Sequence, residues 1–106
     1  MLWHIVRFRF PVDVDESTRA ELEVALAGLD EHIGEVDYLA VGRDLDDPQV
    51  TGLVSAFADA AALAVYRDHP AHVPVVARAR ELCEEIQRLD VPARAPGEGA
   101  WRAATG

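Results

Sequence analysis

The chain has no lysine. Its ten basic residues are all arginine, set against 19 aspartates and glutamates. Without lysine there is no Schiff-base chemistry on an ε-amine and no phosphate-gripping lysine of the P-loop kind. The single cysteine, Cys83, has no partner for an intrachain disulfide, so the fold does not depend on oxidation. No apolar run approaches the ~18 residues of a membrane-crossing helix. The first residues reach Arg7 and Arg9 too soon for the apolar core of a signal peptide. No Gly-x-Gly-x-x-Gly is present, and Gly97-Glu98-Gly99 follows no strand. The net charge of -9 repels phosphate backbones and anionic lipid alike. These absences argue against nucleic-acid and membrane partners and lead us to expect a cytoplasmic protein.

What is present is one small domain. Half of the 106 residues are apolar and 27% are charged, a globular balance. Leu2 to Phe10 alternate as a strand does. His4, Val6, Phe8 and Phe10 point one way, and Trp3, Ile5, Arg7 and Arg9 the other. Asp13 and Glu16 are spaced as a capping box, with Asp13 at the cap. Leu22, Leu26, Leu29 and Ile33 then predict a helix over about residues 14–32, ended by Gly34. Val36 to Arg43 and Thr51 to Ala58 read as strands, separated by an acidic loop. Asp59 suits the N-cap of a short helix ending near Asp68. Pro70 opens another helix, with His69 as its cap and His72, Val75, Val76, Ala79, Leu82 and Cys83 on one face. Glu85 to Val91 is a last strand, closed by Pro92. Residues 93–106, with Trp101, read as a loose tail outside the 1–92 domain.

The order β-α-β-β-α-α-β predicts an α+β, ferredoxin-like split βαβ fold: a four-stranded antiparallel sheet with helices on one face. The other face, with Trp3 and Ile5 on it, needs a cover. A second copy of the chain supplies one, giving a homodimer. Arg7, Arg9 and Arg43 are expected to gather on that covered face, to bind a carboxylate or, as so acidic a chain favours, to pair with acidic residues across the dimer.

Three segments carry a resemblance: the opening His4-Ile5-Val6-Arg7-Phe8-Arg9-Phe10, the strand end Val41-Gly42-Arg43, and the stretch Tyr66-Arg67-Asp68-His69-Pro70-Ala71-His72. With the Leu89-Asp90-Val91 strand, they make the chain resemble the stress-responsive dimeric α/β-barrel (Dabb) domain family over about residues 2–92. The resemblance implies a barrel made by two facing sheets with helices outside. For function it points to plant polyketide cyclases of the olivetolic acid type, whose catalytic Tyr and His fall on Tyr66 and His72 and whose N-terminal His falls on His4. Cofactor-free monooxygenases of polyketide pathways share the barrel.

The residues themselves allow that chemistry. A buried His72 near a helix N-terminus is held neutral and serves as a general base. The Tyr66 hydroxyl holds a carbonyl or donates to a forming enolate. His4, Val6 and Phe8 are candidate binding residues that wall the same pocket, and His69 is a further binding candidate or a simple cap. Cys83 is expected to pack, its thiol pKa raised by the adjacent Glu84 and Glu85. His4, His69 and His72 lack the i, i+4 spacing that places two imidazoles on one helix face, so no metal is expected, and no cofactor. The expected function is a cofactor-independent enzyme on a polyketide-like or aromatic-forming small molecule. The alternative is a non-catalytic small-molecule-binding or stress-associated barrel protein using the same pocket.

Overall fold

The computed structural model describes residues 1–93. The elements run β1 (Leu2–Arg9), α1 (Glu16–Ala27), one 3₁₀ turn (Leu29–Glu31), β2 (Tyr38–Arg43), β3 (Val50–Phe57), α2 (Ala60–Asp68), α3 (Val73–Leu82) and β4 (Glu85–Pro92). The sheet order is β2-β3-β1-β4, and every neighbouring pair is antiparallel. This is the ferredoxin-like α+β fold expected from the element order. No helix among the described residues is long and apolar enough to cross a membrane.

Strict alternation in β1 sets the two faces. Leu2, His4, Val6 and Phe8 are buried, while Trp3, Ile5, Arg7 and Arg9 are half-buried. The buried set meets Leu53 and Phe57 of β3 and Leu22 and Leu26 of α1 in one core, with Phe10 and Phe57 fully enclosed. The register places Ile5 between Val54 and Leu89 on the other face, and Trp3 between Ala56 and Val91. Trp3 also meets Tyr38 edge to face, with ring centroids 6.1 Å apart. Tyr38, Val54 and Leu89 stay exposed there. An apolar sheet face open to water is costly, because each such side chain forgoes its burial energy.

The structure corrects several local expectations. The cap of α1 is Asp15, not Asp13: its carboxylate accepts from the Thr18 amide at 3.0 Å and from the Ser17 and Thr18 hydroxyls. Asp13 is taken up in a turn in which the Val14 amide donates to the Pro11 carbonyl. The α-helix stops at Ala27, with Gly28 as its cap, rather than near residue 32. Leu29 and Ile33 kept a helical spacing because both still reach the core from the 3₁₀ turn and the segment after it. Pro70 does not open α3. The His69 carbonyl accepts from the His72 and Val73 amides, so 69–72 is a turn, His72 stands at the N-cap and Pro74 occupies the first turn.

Arg43 is also reassigned. It lies on the helix side of the sheet and grips Glu16 and Glu23 of α1. Arg7 and Arg9 do lie on the open face, but they pair within their own chain, with Glu85 and Asp47. The tail expected from residue 93 lies almost wholly outside the described residues, Trp101 included. Ala93 itself still donates to the Met1 carbonyl.

Candidate active site

α2 begins at Asp59, whose carboxylate accepts the Ala62 amide at 2.9 Å. Leu63 and Tyr66, three apart, form its buried stripe. Tyr66 therefore projects into the core from the last turn of α2, and the 69–72 turn brings His72 back over it. The Tyr66 and His72 rings have centroids 4.2 Å apart at 46°. Across the core from the sheet comes His4, its ring 6.1 Å from Tyr66. Phe57 closes the group, 5.0 Å from Tyr66 and 6.3 Å from His4.

Each ring is fixed by polar contacts or by packing. His72 Nδ1 lies 3.0 Å from the backbone carbonyl of Arg67. A carbonyl only accepts, so Nδ1 carries the hydrogen, and in the neutral ring the lone pair belongs to Nε2. Burial holds the His72 pKa below the ordinary imidazole value, although the Arg67 carbonyl opposes this, and the charges of His4, Arg80 and Arg67 add to the lowering. Burial alone pushes the Tyr66 hydroxyl up to about 12. At neutral pH the pair is thus a neutral base beside a neutral hydroxyl donor.

His4 Nδ1 is hydrogen-bonded to Asp90 of β4, its direct cross-strand partner. The second oxygen of Asp90 accepts from Arg67 Nη2 at 2.9 Å. Burial pushes the Asp90 carboxyl up, but the bond from His4 and the charges of His4, Arg67 and Arg88 outweigh it and leave the pKa lowered. Arg67 thereby serves both histidines. Its guanidinium braces the acid that holds His4, and its carbonyl orients His72.

A cavity of about 650 Å³ opens against this group. β1 contributes His4, Val6 and Phe8; α2 contributes Tyr66, Arg67 and Asp68; α3 and its cap contribute His72, Val73, Val76 and Arg80; β4 contributes Ile86 and Arg88. Of the candidates drawn from the sequence, His4, Val6, Phe8, Tyr66 and His72 meet at this cavity. His69 does not line it; its Nδ1 accepts the Ala71 amide at 3.0 Å and steadies the turn. Among the described residues no three histidine, cysteine or acidic side chains are grouped to hold a metal ion. Cys83 caps α3, and burial, not its acidic neighbours, pushes its thiol up to about 11.

Sequence reasoning missed Asp90, Arg67, Arg80 and Arg88 as residues of the site. A signal existed for two of them, because the alternation of β4 puts Ile86, Arg88 and Asp90 on one face. That this face meets His4, Val6 and Phe8 is a matter of register between distant strands.

The chain belongs to the stress-responsive A/B barrel domain family, whose profile matches residues 2–93. No curated protein matches the sequence. Several solved structures share the fold. An Arabidopsis thaliana protein is 21% identical with a TM-score of 0.78, over 90% of this chain and 97% of that one. A dimeric ferredoxin-like protein of unknown function from Thermobifida fusca is 22% identical, TM-score 0.77, over 87% and 90% of the two chains. The hydroxynitrile lyase of Passiflora edulis is 18% identical, TM-score 0.77, over 90% and 96%.

Proposed function

We propose that the chain is a small cofactor-independent enzyme of cyclase or lyase type that moves a proton at a carbon of a polyketide-like or aromatic-forming molecule. The observation that carries this reading is the convergence of His4, Tyr66 and His72 on one open cavity, with His72 anchored so that Nε2 is the basic nitrogen. In this reading His72 Nε2 takes a proton from a carbon flanked by carbonyls. The Tyr66 hydroxyl donates a hydrogen bond to the oxygen that gains charge, where a water-poor wall makes such a bond count most. His4, fixed by Asp90, orients the substrate from the sheet side, and Val6 and Phe8 supply apolar contact. The likeness in fold to a hydroxynitrile lyase supports proton-transfer chemistry on this scaffold, without fixing the substrate.

The active form in this proposal is a homodimer in which the face bearing Trp3, Ile5, Val54 and Leu89 meets its copy. Its support is the exposure of that apolar face and the dimeric state stated for the similar Thermobifida protein. A cytoplasmic setting fits the lone Cys83, which demands no oxidising compartment.

The test is deuterium exchange at the central carbon of a 1,3-dicarbonyl thioester in D₂O, followed by NMR, for the native protein, His72→Ala and Tyr66→Phe. Native exchange that disappears in His72→Ala supports the enzyme. Binding of the thioester with no exchange above buffer would overturn it in favour of a non-catalytic binding protein that uses the same cavity.

A further inference from the structure

Among the described residues of this acidic chain, six of the eight arginines are claimed by a carboxylate. Arg7, Arg9, Arg19, Arg43, Arg67 and Arg78 each pair with an aspartate or glutamate. Among the described residues only Arg80 and Arg88 have no such partner, and both line the cavity beside His72. They come from different elements, Arg80 from α3 and Arg88 from β4, directly across from Val6. Both are exposed, which puts them on the open side of the cavity while His4 and Tyr66 form its buried end. The one acidic residue in the lining is Asp68, at the other end of the 69–72 turn.

We propose that the cavity takes an anionic small molecule, its carboxylate or phosphate held at the rim by Arg80 and Arg88 and its uncharged part directed inward to Tyr66 and His72. A protein with net charge -9 repels anions at long range. Two guanidiniums without a carboxylate partner among the described residues oppose that field at the cavity rim, and each offers a planar fork that matches such an anion. The charge of Arg80 is felt at His72 and that of Arg88 at Asp90, so the rim and the rings form one electrostatic site. The inference rests on the reading of this cavity as a substrate site and adds the chemical class of the substrate.

Binding of benzoate, phenyl phosphate and benzamide, followed by calorimetry and by histidine NMR shifts, tests it. Benzoate or phenyl phosphate should bind at least about tenfold more tightly than the neutral amide, the scale of a hydrogen bond to a charged group. Tighter benzoate assigns a carboxylate, and tighter phenyl phosphate a phosphate ester. The preference should vanish in the Arg80→Gln/Arg88→Gln protein and survive in Arg78→Gln, a surface control paired to Glu81 outside the cavity. Equal affinity for benzamide, or a preference that survives the double substitution, overturns the proposal. Because this assay needs no turnover, its failure is separate from failure of the exchange assay.

Discussion

His72 Nδ1 donates to the backbone carbonyl of Arg67 over 3.0 Å, a bond between the cap of one helix and the last turn of the helix before it. This contact fixes the tautomer of the ring and so decides which nitrogen can act as a base. His72→Ala should lower the rate on the order of 10²–10⁴ while substrate affinity changes little, as expected when a transition-state contact is lost. Steady-state kinetics with separate kcat and KM checks this. A fall confined to affinity would instead make His72 a binding group.

Tyr66 is 1% exposed, and its hydroxyl is pushed up to about 12 by burial. In the unfolded chain it ionises near 10. Between those values the unfolded state releases the proton while the folded state keeps it, so stability falls as pH rises through that window. The loss is on the order of 3 kcal/mol by the usual conversion. Tyr66→Phe should abolish this part of the alkaline loss and reduce the rate less than His72→Ala does, since one hydrogen bond is lost while the base stays in place. Chemical denaturation of both proteins from pH 9 to 12 measures the first effect, and exchange kinetics the second.

The strand and helix order was legible because each element carries a strong local signal. β1 alternates without a break, and Asp59 is the sole acid before its helix. The start of α1 was less legible: Asp13, Asp15 and Glu16 crowd together, and the choice of Asp15 is made by the Pro11–Val14 turn. Three rings of the site were visible through the Tyr66–His72 segment and the opening of β1. The Asp90 contact was not, because it joins residues 86 apart and depends on the β1–β4 register. Arg80 and Arg88, the two arginines without a carboxylate partner among the described residues, were equally hidden, since pairing depends on where every other charge lies in the fold.

Ile5 sits at the centre of the open sheet face, between Val54 and Leu89. Both neighbours remain exposed in the single chain. If a second copy covers them, Ile5→Glu places a charge without a partner in the interface, at a cost of several kcal/mol. Light scattering should give a dimer mass for the native protein and a monomeric or unfolded species for the variant. A folded Ile5→Glu dimer would mean that another surface joins the subunits.

Asp90 ties the two histidines into one unit. One of its oxygens accepts from His4 Nδ1 and the other from Arg67 Nη2, while the carbonyl of that same Arg67 orients His72. Asp90→Asn keeps the shape but can offer an acceptor to one partner only. The oxygen should stay with the arginine, because turning the amide hydrogens toward a guanidinium sets donor against donor. The amide then faces His4 Nδ1, which must become the acceptor, so a ring that carries a single hydrogen holds it on Nε2. Nitrogen NMR of the labelled imidazole reads this directly: Nδ1–H in the native protein and Nε2–H in the variant. The acid-linked behaviour should change as well. The lowered Asp90 pKa gives stability that is present above its ordinary value of 3.8 and lost as pH falls through the folded-state value. The asparagine protein should lack that part of the acid loss and be less stable at neutral pH by about 1–3 kcal/mol, the scale of a lost charged hydrogen bond. An unchanged His4 tautomer in Asp90→Asn would show that the ring is held by its packing against Phe57 and Tyr66 and not by the carboxylate.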